Sequence, residues 1–188
     1  VFLLYGPEGL APWVLFAVWQ LHYMQRTFVF PFLIKATGKT MPLLIAGIAL
    51  VYNAFNSWMN MGWIGYHGGY TVEWLSDWRF LAGLSLFLAG FFVNLRSDQI
   101  LRNLRGPGET GYKIPRGFLF DRVSCPNYLG EMMEWFGWAL MTWSLPGLAF
   151  ALYTVANLGP RALANHRWYL DKFPDYPKER RALLPFIL

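Results

Sequence analysis

Four clusters of polar residues stand in otherwise apolar sequence, at spacings that could do chemistry. The first is His22-Tyr-Met-Gln-Arg-Thr27, in which Tyr23 and Arg26 are three residues apart and share a helix face. A phenol beside a guanidinium offers one acidic hydrogen-bond donor and one fixed positive charge. The second is Asn94, Asp98, Arg102 and Arg105, spaced by 4, 4 and 3 residues, one stripe on a helix. Asp98 precedes Arg102 by four residues, the favourable order for a helical ion pair. The third is Asn127, Glu131 and Glu134 in NYLGEMMEWFGW, again on one face. Two carboxylates there need donors, from arginines or from a ligand's amide and hydroxyl groups. The fourth is Asn165-His166-Arg-Trp-Tyr169, with His166 and Tyr169 three apart.

Each cluster also has a plainer reading. Arg26 could snorkel to an interface beside an interfacial tyrosine. The Asn94 stripe could be a solvated helix end with one salt bridge. The glutamates could form a structural ion pair between spans, and a lone histidine near a helix end is more often structural than catalytic. His67 lies in a loop and carries no assigned role.

These groups need elements to hold them, and composition says which. The 188 residues are 55% hydrophobic and 19% aromatic but only 14% charged, against roughly 25% charged in a soluble domain. Lipid is the natural solvent for such a chain. Apolar runs cover about 10–33, 41–66, 79–93, 128–143 and 146–158, and a bilayer needs about 20 residues per helix. They are too long for strands and lack period-2 alternation. The expected fold is therefore all-α, a polytopic transmembrane bundle with five spans in this chain. Pro146 after Ser144-Leu145 marks a tight turn between the last two.

Lys and Arg set the orientation. Six lie between Arg96 and Arg122, six more follow residue 158, and Lys35 and Lys39 sit after the first span. The 63–78 loop has Glu73 and Asp77 and no Lys or Arg. Five spans put all the basic segments on one side, expected to be cytoplasmic. The net charge of +5 then serves topology, anionic lipid or a phosphorylated ligand, and nucleic acid is not an expected partner. The single cysteine, Cys125, excludes an intrachain disulfide and a Cys-rich metal site. No metal site is expected, and no nucleophilic constellation is present.

Gly106-Pro-Gly-Glu-Thr-Gly111 satisfies the dinucleotide fingerprint G-x-G-x-x-G in the wrong context. The fingerprint follows a strand and opens a helix. Here a helical SDQILRNLR precedes it, an irregular YKIPRGF follows, and Pro107 removes one N–H from the supposed cradle. The segment reads as a helix C-terminus and turn.

Taken together, HYMQRTFVFP, the long block from Asn94 to Ala151 and NHRWYLDKFPDYPKERRALLPFIL resemble the steroid 5α-reductase family. The resemblance covers most of the chain from Leu21 onward. It implies a seven-helix membrane oxidoreductase that uses NADPH to reduce the C4–C5 double bond of 3-oxo-Δ4-steroids. It implies Tyr23 as the catalytic donor to the 3-keto group, with Arg26 near the nicotinamide end. Asn94, Asp98, Arg102, Arg105, Tyr112, Asn127, Glu131, Asn165, His166, Tyr169 and Arg180 match cofactor-binding positions, and Lys39 matches one less closely. Residues 96–126 would form a cytoplasmic cofactor loop and 159–188 a cofactor-binding tail, within one reductase domain covering 1–188. The family also has two upstream spans with a Gln-Glu pair that this chain lacks, so the sequence, which begins at Val1, is read as N-terminally shortened. The expected partners are a steroid or other apolar enone and membrane lipid, the expected state a monomer, and the expected site a bacterial inner membrane or the endoplasmic reticulum. A sterol C14- or C7-type reductase and an isoprenylcysteine-type methyltransferase resemble the C-terminal half. The methyltransferase cofactor carries no phosphate, which Arg102 and Arg105 argue against.

Overall fold

The computed structural model describes residues 2, 6–33, 42–106, 109 and 111–184. Lys39 lies outside the described residues. The α-helices bounded within the described residues are α1 (Leu10–Met24), α2 (Phe30–Leu33), α3 (Leu43–Gly62), α4 (Trp78–Asn103), α5 (Pro126–Thr142) and α6 (Leu145–Lys172). No strand occurs among the described residues. One isolated bridge joins Val123 to Arg181.

The helices coincide with the five apolar runs, with three departures. A π-helical turn, Gln25–Val29, joins α1 to α2, and another, Trp63–His67, extends α3. Arg26 therefore sits on a π turn. Next, α4 ends at Asn103, so the stripe from Asn94 through Arg102 is helical while Arg105 lies in the bend beyond it. Finally, α6 runs on to Lys172 with Pro160 inside it. Proline removes an interior hydrogen bond and usually breaks a helix. Here Leu158 and Ala162, either side of it, are both anchored in one buried apolar cluster. Among the described residues, α4 is the one helix long and apolar enough to cross a membrane. Polar Asn53, Asn56 and Asn60 interrupt α3, and α5 has 17 residues.

The chain divides into two compact units. The first comprises 1–84 and 138–150. Its core is aromatic: Trp19 lies 4.8 Å from Trp138 and 5.8 Å from Phe150, ring centre to ring centre. The Trp138 indole N–H donates to Asn60 Oδ1 at 2.8 Å, so the buried amide and indole satisfy one another. The last carbonyls of a helix have no partner within it. At the end of α5, Tyr70 OH donates to the Thr142 carbonyl at 2.5 Å and Trp74 Nε1 to that of Met141 at 3.0 Å. Trp143 then leaves the helix at φ 45°, a left-handed cap usually given to glycine. Its ring stays useful there, with the Arg79 guanidinium 5.4 Å from its centre. Ser144 Oγ accepts the Gly147 N–H at 3.1 Å and caps the start of α6.

The second unit comprises 85–137 and 151–188. Two glycines let α4 and α5 meet closely. A Cβ on Gly90 would fall 2.5 Å from the Gly130 carbonyl oxygen, and one on Gly130 would fall 2.5 Å from the Asn94 nitrogen. Small residues at a crossing are the usual route to such backbone contact. The C-terminal segment lies along 122–125: Ser124 N donates to the Arg181 carbonyl at 2.8 Å, Cys125 N to that of Ala182 at 3.1 Å, and Arg181 N to that of Arg122 at 3.0 Å. Cys125, Met132, Leu158, Ala162, Ala182 and Leu183 pack beneath this ladder.

Candidate functional site

The second unit holds a cavity of about 380 Å³, lined by Leu101, Tyr112, Ser124, Cys125, Asn127, Tyr128, Asn165, Trp168 and Tyr169. It lies within the roughly 300–1,000 Å³ of small-molecule sites. Its walls are the end of α4, the irregular 111–125 segment, the start of α5 and the polar half of α6. Four of the residues singled out from the sequence meet here: Tyr112, Asn127, Asn165 and Tyr169.

Local rules put each in place. Asn127 follows Pro126, which opens α5 as proline favours at a first helical turn. Its carbonyl accepts the Asn94 Nδ2 at 3.0 Å. Buried Asn94 thus spends its amide on positioning the start of α5. Asn165 Nδ2 reaches Tyr128 OH at 3.5 Å and Cys125 Sγ at 3.8 Å. The Tyr112 ring stands edge-on to Trp168, 4.8 Å between centres, and Trp168 in turn meets Tyr169 at 5.1 Å. Tyr169 stacks on Tyr176 at 5.1 Å. Burial pushes the Tyr169 phenol up to about 12 and the Cys125 thiol up to about 11. Both stay protonated at neutral pH, so this wall presents hydroxyl, thiol and amide groups and no anion.

The remaining expected residues lie around or away from the cavity. Asp98 is buried on α4, one turn before half-buried Arg102, the neighbour of cavity-lining Leu101. Arg105 is exposed past the helix end. Glu131 is half-buried on α5, one turn beyond Asn127, and Glu134 is wholly buried. His166 sits beside Asn165 and bonds through Nδ1 with Ser124 Oγ at 2.7 Å. Burial, then the charge of Arg181, lowers its pKa. Arg180 is buried with its Nη1 donating to the Pro115 carbonyl at 2.9 Å and its guanidinium 5.1 Å from the Tyr176 ring. It ties the C-terminal segment to the 113–122 loop. In the first unit, the Tyr23 hydroxyl donates to Asn53 Oδ1 at 3.4 Å, and its ring lies 5.1 Å from Trp19. Arg26 lies 4.8 Å from the Phe30 ring centre.

Ser124, Cys125, Tyr128, Trp168 and Tyr176 are contributed by the fold and were not foreseen as site residues. Tyr128 and Trp168 stand inside the polar clusters named from the sequence, the other three outside them. Ser124 and Tyr176 are brought in by the C-terminal ladder, which no periodicity announces. At the glycine pattern, Glu109 Oε2 accepts the Gly106 N–H at 2.6 Å and the Lys113 ammonium at 2.5 Å.

The donor set suits part of a dinucleotide. Two side-chain amides, hydroxyls and aromatic faces can hold a base or carboxamide and its ribose. Guanidiniums such as those of Arg102 and Arg105, which lie outside the cavity lining, can meet phosphate bidentately. A volume of about 380 Å³ has room for one nucleoside-sized end rather than for the whole molecule.

Residues 39–188 match the family model for 3-oxo-5-alpha-steroid 4-dehydrogenase. The chain is 48% identical over 175 residues to 3-oxo-5-alpha-steroid 4-dehydrogenase 1 of Bos taurus, covering 93% of this chain and 68% of that protein. It is 48% identical over 188 residues to steroid 5-alpha-reductase DET2 of Gossypium hirsutum, covering 97% and 72% respectively. To 3-oxo-5-alpha-steroid 4-dehydrogenase 1 of Homo sapiens it is 46% identical over 174 residues, covering 93% and 67%. Identity near one half along nearly the whole chain, at these coverages, leaves one conclusion: the chain belongs to the 3-oxo-5-alpha-steroid 4-dehydrogenase family of oxidoreductases.

Proposed function

We propose that this protein reduces the C4–C5 double bond of 3-oxo-Δ4-steroids with NADPH as reductant, and that the cavity of the second unit takes one end of that cofactor. The observation that carries the reading is the convergence of Tyr112, Asn127, Asn165 and Tyr169 on one cavity in a chain of this family. Asn127 and Asn165 would orient a carboxamide or ribose, Trp168 and Tyr169 would flank a ring, and Arg102 and Arg105 would meet phosphate. Glu131, one turn from Asn127, would accept from ribose hydroxyls. Asp98, His166 and Arg180 would shape the surrounding wall. NADPH, when bound, supplies the hydride for the enone β-carbon.

The catalytic role of this chain falls to Tyr23. Conjugate addition builds negative charge on the ketone oxygen, and a donor aimed there lowers the barrier. The hydrogen bond of Tyr23 to Asn53, 3.4 Å long, is weak enough to exchange for that oxygen. Arg26, one helical turn on, adds a positive charge. The α-carbon then takes a proton and the saturated ketone is released.

The setting is a multi-pass membrane bundle with the basic segments on the cytoplasmic side and lipid as a partner. Support comes from α3, where Leu43, Leu44, Leu50 and Val51 are each at least 70% exposed. Water does not tolerate an apolar stripe of that extent. The protein acts as a monomer in this reading.

The test is a thermal-shift and turnover assay on detergent-solubilised protein. NADPH should raise the melting temperature, and a Δ4-3-ketosteroid should then be consumed with NADPH oxidation. Stabilisation by S-adenosylmethionine without any by NADPH would overturn the reading.

A further inference from the structure

Three elements of the second unit meet through side-chain hydroxyls. Ser124 Oγ lies 2.7 Å from His166 Nδ1 and 2.7 Å from Tyr176 OH. Ser124 is 2% exposed and Tyr176 3%, so neither hydroxyl can rely on bulk water. A buried donor left without an acceptor costs about 1–3 kcal/mol. This penalty selects the direction of the chain.

Tyr176 has one proton, and among the described residues Ser124 Oγ is its hydrogen-bond partner. If Tyr176 donates to Ser124, the serine proton goes to His166 Nδ1, and every donor is used. Reversing the chain, with Nδ1–H donating to Ser124 and Ser124 to Tyr176, strands the phenol proton. Letting both neighbours donate to Ser124 strands the serine proton instead. The first arrangement also polarises in one sense from phenol to hydroxyl to imidazole, which strengthens each bond. Nδ1 is then an acceptor and the imidazole proton resides on Nε2. Burial and the Arg181 charge both disfavour the imidazolium, in keeping with a neutral ring.

We propose that Ser124 and Tyr176 are positioning residues, a hydroxyl relay that locks His166 in its Nε2–H form and so presents a fixed hydrogen-bond donor to an acceptor oxygen of the bound dinucleotide. His166 does not itself line the cavity but is tied to it through Ser124, which does; the NADPH affinity of the Ser124 variants tests whether its Nε2–H reaches the ligand. The destination of the donor rests on the cofactor reading given above; the tautomer does not.

The chain has three histidines, so nitrogen-15 NMR of histidine-labelled protein in detergent can read the state directly. His166→Asn assigns the signal. At neutral pH the expected spectrum has Nδ1 unprotonated and Nε2 protonated. Ser124→Ala and Tyr176→Phe should each turn this into a tautomer mixture, and Ser124→Ala should raise the Kd for NADPH about tenfold, the equivalent of 1.4 kcal/mol. Ser124→Thr keeps the hydroxyl and should keep both the spectrum and the affinity. A protonated Nδ1 in the parent protein, or an unchanged tautomer in both Ser124→Ala and Tyr176→Phe, overturns the relay. A locked tautomer with unchanged NADPH affinity in Ser124→Ala overturns its link to the cofactor. If the parent protein binds no NADPH, the cofactor reading fails while the tautomer result still stands or falls by itself.

Discussion

The side chain of Asn94 donates to the main-chain carbonyl of Asn127 at 3.0 Å, and this is possible because glycines at 90 and 130 let their helices touch. Asn94 is 2% exposed. Its amide therefore acts on the first turn of α5, and through it on a wall of the cavity. Replacing Asn94 by Ala leaves the Asn127 carbonyl without this donor, at a cost of about 1–3 kcal/mol. Asn94→Ala should lower the melting temperature and weaken NADPH binding together. An Asn94 variant with parental stability and affinity would sever this link.

The crossing itself predicts a larger effect. Added methyl groups at Gly90 or Gly130 would meet backbone atoms at 2.5 Å, which cannot swing aside as a side chain can. Overpacking typically costs 1–3 kcal/mol, and contact with backbone belongs at or above the top of that range. Gly130→Ala should therefore be more destabilising than Gly159→Ala, a site where an added Cβ meets nothing within 4 Å. Comparing the two melting temperatures in one detergent is sufficient. Equal shifts would mean that the helices part without cost.

How far this was legible in the sequence depends on range. The helices followed from apolar run length, and Pro146 marked the α5–α6 turn, because both signals are local. Spacing alone puts Asn94, Asp98, Arg102 and Arg105 on one helix, and the first three lie there. Arg105 does not, because the helix stops at Asn103 two residues before it. The π turn under Arg26 left no trace in hydropathy. Nor did the pairing of 122–125 with 181–182, which is a long-range backbone contact with no periodic pattern. That pairing delivers Ser124, Cys125 and Tyr176; Tyr128 and Trp168 stand on helices, where spacing does not say which aromatic faces a cavity. Gly90 and Gly130 were visible as letters, but their meaning lies in which helix each one faces.

The lone cysteine provides a probe of the cavity. Burial holds the Cys125 thiol near 11, and the thiolate is the reactive form. Raising the pH from 7 to 9 should leave alkylation by iodoacetamide slow, whereas an ordinary thiol of pKa about 8.5 would be mostly ionised at the upper end. Mass spectrometry reads a single site. Bound NADPH should slow the reaction further, since Cys125 lines the cavity. Fast labelling at pH 8, untouched by NADPH, would contradict both the burial and the assignment of the cavity.

Trp168 separates the role of aromatic faces from that of polar groups. Its ring meets Tyr112, Tyr169 and Phe173 with centres 4.8, 5.1 and 6.0 Å apart, so it organises one wall of the cavity. Aromatic pairs of this kind contribute about 0.5–1.5 kcal/mol beyond area burial. Trp168→Ala should weaken NADPH binding several-fold, and Trp168→Phe should restore most of it. Isothermal titration of both variants decides the matter. If the phenylalanine variant binds as poorly as the alanine variant, a ring face is not what the ligand uses.

Tyr23 carries the prediction closest to the chemistry. Loss of one donor to a developing oxyanion typically costs 10²- to 10³-fold in kcat. Tyr23→Phe keeps the ring against Trp19, 5.1 Å between centres, and removes only the hydroxyl. Its hydrogen bond to Asn53, at 3.4 Å, is long. The expected result is a turnover of a Δ4-3-ketosteroid reduced by about two orders of magnitude, with the NADPH-induced rise in melting temperature preserved. Asn53→Ala supplies the contrast, since it removes this acceptor and leaves the phenol in place; its turnover should stay within a few-fold of the parent. A Tyr23→Phe protein that turns over normally would remove the phenol from the chemistry. One that no longer responds to NADPH would make Tyr23 part of the scaffold.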